Sequence, residues 1–337
     1  MYLPPAVFRR HRYGVRFSLA RAQDGVSASP APADYLRVRY APSLPDPDGP
    51  ALWERVVGQS DPPAFHGLYG VDGGFRLKVR CQGSGSFVFK GDELLIAWEP
   101  GGTGPAYYLF GLGLALWLET RGVPCLHANA LAAGDHGFGL VGDSKTGKTT
   151  LTLALLQRGV SLVSDDLLTL AERGGRFWAR PGLPQMRIWP DTITDLLPTA
   201  EVQGLERVHP RLEKRWVPTE PIFPGAFART AKAVRTLYLL ERDTSGDLHE
   251  VVLETVPPSE ALLKLLTYSV IGGAATALGV EVQRLGRLAR VAATVRVRRL
   301  RYPDGLEWLP EVCEAIAADL QARSIRTSCS AVPVPYR

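Results

Sequence analysis

The amino-acid sequence predicts an α/β protein that is preceded by a strand-rich N-terminal region. Over the first hundred residues, short segments alternate apolar and polar side chains, which is typical of half-buried strands. From Val123 onward, apolar runs alternate with segments of helical periodicity, which is typical of an α/β domain. A glycine-rich loop, Gly142–Thr149, joins one such run to one such helical segment. We therefore divide the chain into a strand-rich region (1–104), an α/β domain (105–324) and a frayed C-terminal tail (325–337).

The predicted strands of the N-terminal region are separated by proline-rich breaks such as PSLPDPDGP. These strands cover residues 14–20, 35–41, 75–81, 86–90 and 93–98. Residues 99–105 have the composition of a hinge. The apolar segment 106–118 is too short to span a bilayer, so it is predicted to be a buried helix.

The α/β region is predicted to continue as alternating strands and helices. Strands are predicted over 125–133, 138–142, 160–166, 234–242 and 293–302, and helices over 148–159, 258–270 and 309–322. Ser259 is the predicted cap of the second of these helices. Residues 198–233 are rich in proline, and we expect them to form a long functional loop such as a lid.

Composition and charge narrow the class of protein. The 337 residues include 39 lysines and arginines against 34 aspartates and glutamates, a net charge of +5. Seven arginines lie between Arg284 and Arg301, where they could form a solvated face or contact an acidic partner. The four cysteines are isolated, without metal-ligand spacing, which favours a reducing compartment. We expect a cytoplasmic protein that could form a homo-oligomer and that has no membrane or nucleic-acid partner.

The loop GDSKTGKT fits the pattern G-x-x-x-x-G-K-[ST] in full. Its glycines let the backbone curl so that N–H groups point at phosphate oxygens, and the following helix presents its positive end to the same anion. In this pattern the lysine reaches the β- and γ-phosphates and the threonine hydroxyl binds Mg²⁺. We expect Lys148 to face solvent at the mouth of the helix. The predicted ligand is MgATP. The residues predicted to bind it are Gly142, Asp143, Ser144, Lys145, Thr146, Gly147, Lys148, Thr149 and Thr150.

The loop alone does not name a chemistry, because GTPases, ABC-type ATPases and kinases all use it. The chain has neither an N-K-x-D motif nor an L-S-G-G-Q motif. Instead, the next apolar run ends in LVSDD, at Asp165 and Asp166. One of these carboxylates could hold Mg²⁺ through water, and the other could accept a proton from an attacking hydroxyl.

These residues resemble the catalytic core of HPr serine kinase/phosphorylase, and more closely the divergent HPr-kinase-related proteins that include lasso peptide precursor kinases. That core carries a histidine on the strand before the loop, the motif G-D-S-x-x-G-K-[ST], and paired aspartates after the next strand. Here Lys148 follows His127 by 21 positions and precedes Asp166 by 18. The similarity runs from about Val123 to Leu240. It implies a P-loop fold of the HPr kinase/phosphoenolpyruvate carboxykinase type.

The resemblance also implies roles for individual residues. Asp166 takes the proton of the acceptor hydroxyl, His127 lies beside it, and Asp165 supports Mg²⁺ together with Thr149. An arginine late in the family core aligns loosely with Arg235. The E-I-R-G stretch of the bifunctional enzymes is missing, and either Gln185 or Asp191 could replace its glutamate. This departure predicts a forward reaction only.

The expected function is therefore an ATP- and Mg²⁺-dependent kinase that phosphorylates a serine of a peptide or small protein, and a ribosomal precursor peptide is one candidate acceptor. Two alternatives remain open. One is a small-molecule phosphotransferase similar to phosphoenolpyruvate carboxykinase, although His127 has no lysine partner on its strand. The other is a regulator that binds a nucleotide without catalysis.

Overall fold

The computed structural model describes residues 11–12, 15–19, 35–44, 46–57, 63–81, 83–99, 105–197, 202–209 and 212–329. It is a mixed α/β structure with two large sheets and one small sheet. This confirms the predicted α/β class. The predicted hinge lies almost wholly outside the described residues.

The first large sheet is built entirely from the N-terminal region. Its strands are β1 (His11–Arg12), β2 (Val15–Leu19), β3 (Tyr35–Tyr40), β4 (Trp53–Val57), β5 (Ala64–Val71), β6 (Gly74–Cys81), β7 (Gly83–Lys90) and β8 (Glu93–Trp98). Their order is β1-β2-β3-β8-β7-β6-β5-β4, so β4 is the last strand at one edge. Alternate side chains such as Leu36, Leu77 and Ile96 are buried and form the inner face. The sequence patterns identified five of these strands and missed β1, β4 and β5.

A helical segment connects this sheet to the second one. It comprises α1 (Pro105–Tyr108), a π-helical turn (Leu109–Gly113) and α2 (Leu114–Thr120). The predicted buried helix is confirmed, but it is kinked at Gly111, whose backbone is not helical. Its apolar residues pack on the inner face of the N-terminal sheet in one continuous core.

The second large sheet forms the centre of the α/β region. Its strands are β9 (Cys125–Leu126), β10 (Ala128–Ala133), β11 (His136–Val141), β12 (Ser161–Ser164), β13 (Leu168–Arg173), β14 (Arg176–Ala179), β18 (Lys232–Asp243), β19 (Val252–Thr255) and β20 (Arg296–Pro303). β11, β18 and β20 run parallel to one another. The predicted strand 125–133 is two strands, because β9 pairs with β13 whereas β10 pairs with β11 and β12.

Helices cover both faces of this sheet. One core packs α3 (Lys148–Leu156), α4 (Pro190–Leu196) and α9 (Leu309–Cys329) on side chains such as Tyr238 and Leu240. The other core packs α6 (Pro258–Thr267) and α8 (Glu281–Thr294) on Leu237 and Leu239. Consecutive residues of β18 thus alternate between the two cores, as period-two side-chain geometry requires. The short helix α7 (Ala274–Ala277) packs in the N-terminal core instead.

Residues 198–233 are not the long irregular loop that their prolines predicted. The described part contains β16 (Arg207–His209), β17 (Leu212–Pro218) and α5 (Thr219–Ile222). With β15 (Gln185–Ile188) they form a three-stranded sheet in the order β15-β17-β16, which we call the small sheet. Among the described prolines of this segment, Pro218 ends β17 directly before α5, and Pro221 lies in the first turn of α5, where proline is compatible with the backbone.

Two predictions about helix ends are also corrected. The cap position of α6 is Pro257, which has an extended backbone, and no side chain caps the helix. Ser259 lies inside the first turn. α9 continues to Cys329, beyond the predicted start of the tail. Among the described residues, no helix is both long and apolar enough to cross a membrane.

Five of the seven arginines between Arg284 and Arg301 form ion pairs in the described structure. Arg296 and Arg298 contact Asp319, and Arg299 contacts Glu241, Glu254 and Glu260. These carboxylates neutralise much of the charge that could have attracted an acidic partner.

One buried ion pair joins the connecting helices to the central region. Glu119 is 2% exposed, accepts the Cys125 N–H at 2.9 Å, and lies 3.4 Å from Nε of Arg284. Burial raises the pKa of Glu119 to about 7 against the attraction of Arg284. An ionised Glu119 therefore depends on Arg284.

We predict that Arg284→Met lowers the free energy of unfolding by about 3–5 kcal/mol near pH 8, because it leaves a buried carboxylate without its cation. The loss should shrink below pH 7, where Glu119 takes up a proton. Arg290→Met on the same helix is the control, since its pair with Glu172 is exposed and is worth about 0–1 kcal/mol. Equal losses for the two variants in urea titrations would contradict the prediction.

Candidate active site

The glycine-rich loop connects the end of β11 to the start of α3. Gly147 has φ +87°, and a Cβ there would lie 2.9 Å from the Tyr302 hydroxyl. A Cβ on Gly142 would lie 2.8 Å from Oγ1 of Thr146. The loop therefore requires glycine at both positions. The Tyr302 hydroxyl also donates a hydrogen bond to the Thr146 carbonyl, which fixes the loop to the end of β20.

Lys148 is more buried than its position at the helix mouth predicted. Only 6% of the residue is exposed, and Nζ donates to the carbonyls of Gly142 at 2.6 Å and Asp143 at 2.7 Å. Burial lowers the pKa of Lys148. The ammonium group is thus held inside the loop by the loop's own backbone, and the expectation of a solvent-facing lysine is wrong.

Asp165 and Asp166 form a tight turn after β12. Asp166 has φ +59°, a left-handed conformation that aspartate and asparagine tolerate better than most residues. Its N–H donates to Oδ1 of Asn129 at 3.0 Å, and the Asn129 amide donates to the Thr152 hydroxyl at 3.0 Å. Asn129 and Thr152 are fully buried. This chain of hydrogen bonds ties the turn to α3, the helix that follows the glycine-rich loop.

Arg187 of β15 lies against both carboxylates. Its Nη2 is 3.1 Å from Oδ2 of Asp166, and its Nε is 3.7 Å from Oδ2 of Asp165. Its backbone N–H also donates to Oδ2 of Asp165 at 2.8 Å. The guanidinium lies over the rings of Tyr107 and Trp216, with 5.5 and 5.8 Å to the ring centroids. The small sheet thereby supplies the cation that allows two adjacent carboxylates to be buried.

The two carboxylates have opposite pKa shifts. Burial and the neighbouring charge of Asp166 raise the pKa of Asp165 to about 7. Burial alone would raise the pKa of Asp166 as well, but Arg187 and His127 outweigh it and lower that pKa to about 2. Asp166 is therefore the carboxylate that stays ionised.

His127 lies in the break between β9 and β10. Its backbone N–H donates to the Tyr268 carbonyl at 2.8 Å, and its Nδ1 lies 3.3 Å from the Asp166 carbonyl. Burial lowers the pKa of His127, despite the nearby carboxylate. A neutral ring that donates from Nδ1 to this carbonyl leaves Nε2 as a proton acceptor.

A cleft of about 440 Å³ lies over the glycine-rich loop and the start of α3; we call it the loop cleft. Eight of the residues singled out from the sequence line it: His127, Ser144, Lys145, Gly147, Lys148, Thr149, Thr150 and Asp166. The other lining residues are Trp189, Asp191, Thr192, Lys214 and Arg242. Gln185 and Asp191 were the two candidates to replace the glutamate of the E-I-R-G stretch, and of these two Asp191 lines this cleft.

One residue assigned to the nucleotide from the sequence, Arg235, lies elsewhere. It is near the start of β18, level with the start of β11, and lines a different depression beside Arg176 and Thr294. The glycine-rich loop follows the opposite end of β11, so Arg235 is not part of the loop cleft. Arg242, seven residues further along β18, lies at the end of the strand beside the glycine-rich loop and lines the loop cleft.

Asp165 faces away from the loop cleft. It lines a small space beside Tyr107, Gln185 and Trp216, on the side of the connecting helix. Its Oδ1 has no hydrogen-bond partner within the described part of the chain. The prediction that Asp165 holds a metal ion together with Thr149 therefore does not fit the geometry.

Oxygen atoms suited to Mg²⁺ do line the loop cleft. Thr149, Asp166 and Asp191 present hydroxyl and carboxylate groups there, and these are the ligands that Mg²⁺ prefers. No group of three or more His, Cys, Asp or Glu side chains at metal-binding spacing occurs among the described residues. This donor set suits a metal ion that reaches the cleft bound to phosphate oxygens.

Sequence reasoning missed several residues of the site. Arg187 and Arg242 were not singled out from the sequence, and Lys214 lies in the proline-rich segment that was expected to be a loop. In the structure Lys214 lines the loop cleft, with Nζ 5.6 Å from the ring centroid of Trp189. Asn129 was missed as well, although the sequence contained a signal for it. It is a polar residue two positions after His127, inside an otherwise apolar run.

Comparisons with known proteins give little further information. No family model and no curated protein matches this chain. One similar solved structure is that of the Hpr(Ser) kinase/phosphatase from Coxiella burnetii, which is 14% identical. The match covers 61% of this chain and 95% of that chain, with a TM-score of 0.36. At this TM-score the likeness does not assign a function to this chain.

We predict that Asp165→Asn flattens the pH dependence of stability between about pH 4 and 7. The folded wild type keeps a proton on Asp165 up to about pH 7, whereas the unfolded chain releases it near its ordinary pKa of about 3.9. This group therefore makes stability fall as pH rises through that window, and the fall is complete above it.

The measurement is the difference between the unfolding free energies of variant and wild type across this range. Taking the difference cancels the contribution of other groups. An unchanged pH profile in Asp165→Asn would contradict the assignment of the raised pKa to this carboxylate.

Proposed function

We propose that this protein is an ATP-dependent kinase that transfers a phosphoryl group to the serine hydroxyl of a peptide or small protein. The observation that carries the proposal is the shared loop cleft. It places a glycine-rich loop at a helix N-terminus, the buried Lys148 and the ionised Asp166 around one space. These are the components that phosphoryl transfer requires.

The loop would bind the β- and γ-phosphates of ATP. Backbone N–H groups and the start of α3 favour an anion there, and Lys148, Lys214 and Arg242 add positive charge. The hydroxyl of Thr149 and the carboxylate of Asp191 would hold Mg²⁺. When bound, the ion would neutralise charge on the phosphates.

Asp166 would orient the acceptor hydroxyl. A carboxylate with a pKa of about 2 is ionised at physiological pH but is a weak base. It therefore acts first by accepting a hydrogen bond from the hydroxyl. In a loose transition state the bond between the γ-phosphorus and the bridging oxygen breaks early, and ADP leaves with the electron pair. As the new O–P bond forms, the hydroxyl becomes acidic and its proton passes to Asp166.

Arg187 and His127 act on this carboxylate. Arg187 holds Asp166 in its ionised form and at a fixed position. Nε2 of neutral His127 offers a nearby acceptor to which the proton can move on. In this proposal Arg187 is a positioning group and His127 is a proton acceptor.

The choice of a serine-containing polypeptide rests on the sequence resemblance described above, which also makes a ribosomal precursor peptide of the lasso type one candidate acceptor. A cytoplasmic location fits the free thiols of Cys81, Cys125 and Cys313.

We predict that Asp166→Asn lowers the single-turnover transfer rate by roughly 10²–10⁴-fold. Asparagine tolerates the positive φ of this position, so the turn should be retained. ATP affinity should hold or rise, because a negative charge near the phosphates is removed. The assay combines calorimetry of MgATP binding with phosphorylation of a pool of serine peptides.

Asp195→Asn is the matched control, because Asp195 is an exposed carboxylate of α4 outside the loop cleft. It should transfer at the wild-type rate. A wild-type rate in Asp166→Asn would overturn the role of this carboxylate and reopen the reading of the protein as a nucleotide-binding regulator.

We predict that Lys148→Met weakens ATP binding by about 10- to 100-fold, the equivalent of one charge-assisted hydrogen bond at roughly 1.5–3 kcal/mol. Methionine retains the buried stem of the side chain. Lys145→Met provides a comparison within the same loop, and its effect should be much smaller because Lys145 is exposed. Circular dichroism would establish that both variants are folded. A folded Lys148→Met protein with wild-type affinity is the result that excludes the loop as a phosphate site.

A further inference from the structure

A second cleft meets the loop cleft at Asp166. It has a volume of about 480 Å³, and we call it the sheet cleft because the N-terminal sheet forms one of its walls. His127, Ser144 and Asp166 line both clefts. Lys148 and Thr149 line only the loop cleft. The carboxylate proposed to contact the acceptor hydroxyl is therefore reached from two sides, and only one of them is the side of the proposed nucleotide site.

The wall from the N-terminal sheet consists of β4 and β5. Arg55 and Val57 belong to β4, and His66 is the cross-strand partner of Arg55. Directly paired residues share a face of the sheet, as do residues two apart on one strand. These three side chains thus form one surface that faces the cleft.

The opposite wall is apolar and aromatic, with backbone groups close by. It includes Tyr107 and Leu112 from the connecting helical segment, and Tyr268 and Val270 from the segment after α6. The Tyr268 carbonyl accepts the N–H of His127, and its hydroxyl lies 3.4 Å from Oδ2 of Asp143. This wall is therefore connected directly to the proposed catalytic residues.

The charges in the sheet cleft are unevenly placed. Arg187 is neutralised by Asp165 and Asp166. Arg55 is exposed, and within the described residues it forms no ion pair. This contrasts with the arginines of α8 and β20, most of which have carboxylate partners. A ligand in this cleft would meet the unpaired guanidinium of Arg55 on the sheet wall and the carboxylates of Asp143 and Asp166 beside the glycine-rich loop.

The wall also contains a strand edge. β4 is the last strand of its sheet in the described structure, so one row of its backbone donors and acceptors has no partner strand there. An extended peptide can satisfy such an edge by adding its own backbone hydrogen bonds, whereas a small metabolite cannot.

We propose that the sheet cleft binds the acceptor as an extended, acidic peptide segment, with its serine hydroxyl at Asp166 and a carboxylate side chain on Arg55. This inference rests on the proposed kinase function and adds the substrate class and a residue that determines specificity. Arg55 contributes the charge-assisted hydrogen bonds, and the aromatic wall contacts the apolar parts of the peptide. The phosphoryl donor and the acceptor then approach Asp166 from opposite clefts.

The test uses short synthetic peptides that carry one central serine in an alanine and glycine background. Aspartate, lysine or alanine is placed at each flanking position in turn. Phosphorylation is followed with γ-labelled ATP, and ATP affinity is measured separately by calorimetry. The variants are Arg55→Glu and the milder Arg55→Gln. Arg39→Glu is the matched control, because Arg39 is an exposed arginine of the same sheet that does not line the sheet cleft.

We expect the wild type to prefer aspartate at one fixed distance from the serine. Arg55→Gln should lose this preference, with kcat/KM for the best acidic peptide falling about tenfold, as for one lost charge-assisted hydrogen bond. Arg55→Glu should instead prefer lysine at the same position. ATP affinity should remain at the wild-type value in all three variants, and Arg39→Glu should keep the wild-type peptide preference.

Other outcomes would overturn the inference in distinguishable ways. If both Arg55 variants keep the wild-type preference, or the wild type has none, the sheet cleft is not the acceptor site although the kinase function stands. If the wild type binds ATP but phosphorylates a free hydroxy acid and no peptide, the substrate class is wrong. If the wild type does not bind ATP, the proposed function itself fails, and the inference fails with it.

Discussion

The contact of Arg187 with two adjacent aspartates is the interaction on which the rest of the site depends. Two like charges at neighbouring positions in a buried turn repel each other and lose hydration, so the turn is stable only if a cation or a proton compensates. Arg187 compensates mainly the charge of Asp166, and Asp165 responds with a raised pKa. The result is one permanently ionised carboxylate in a defined position.

This contact also explains why the small sheet is part of the site. Arg187 reaches the turn from β15, and the same guanidinium packs on Tyr107 of α1 and Trp216 of β17. The aspartate turn, the small sheet and the connecting helix therefore meet at one side chain. On the other side of the turn, Asn129 and Thr152 connect Asp166 to α3. The position of Asp166 relative to the glycine-rich loop is therefore set by α3 and by the buried side-chain amide of Asn129.

The parts of this arrangement that could be predicted from the sequence are those encoded by short spacing. The glycine-rich loop, Asp166 and His127 are close in the sequence, and eight of the predicted residues do line one cleft. Arg187 could not be found in this way, because its position depends on the pairing of β15 with β17. Arg235 was misplaced because a strand of twelve residues has two ends, and only its register with β11 shows which end meets the loop.

The arginine-rich segment shows that the partners of charged side chains also depend on the fold and cannot be found from a short stretch of sequence. A run of arginines indicates an acidic partner only if the chain does not supply that partner, and here Glu241, Glu254, Glu260 and Asp319 come from four separate elements. The single arginine of β4 gave no such signal in the sequence, yet it lines the sheet cleft and has no ion-pair partner among the described residues. In-line phosphoryl transfer requires donor and acceptor to approach the phosphorus from opposite sides. In the proposed arrangement the donor lies in the loop cleft, and the acceptor would reach Asp166 from the sheet cleft, of which β4 and β5 of the N-terminal sheet form one wall.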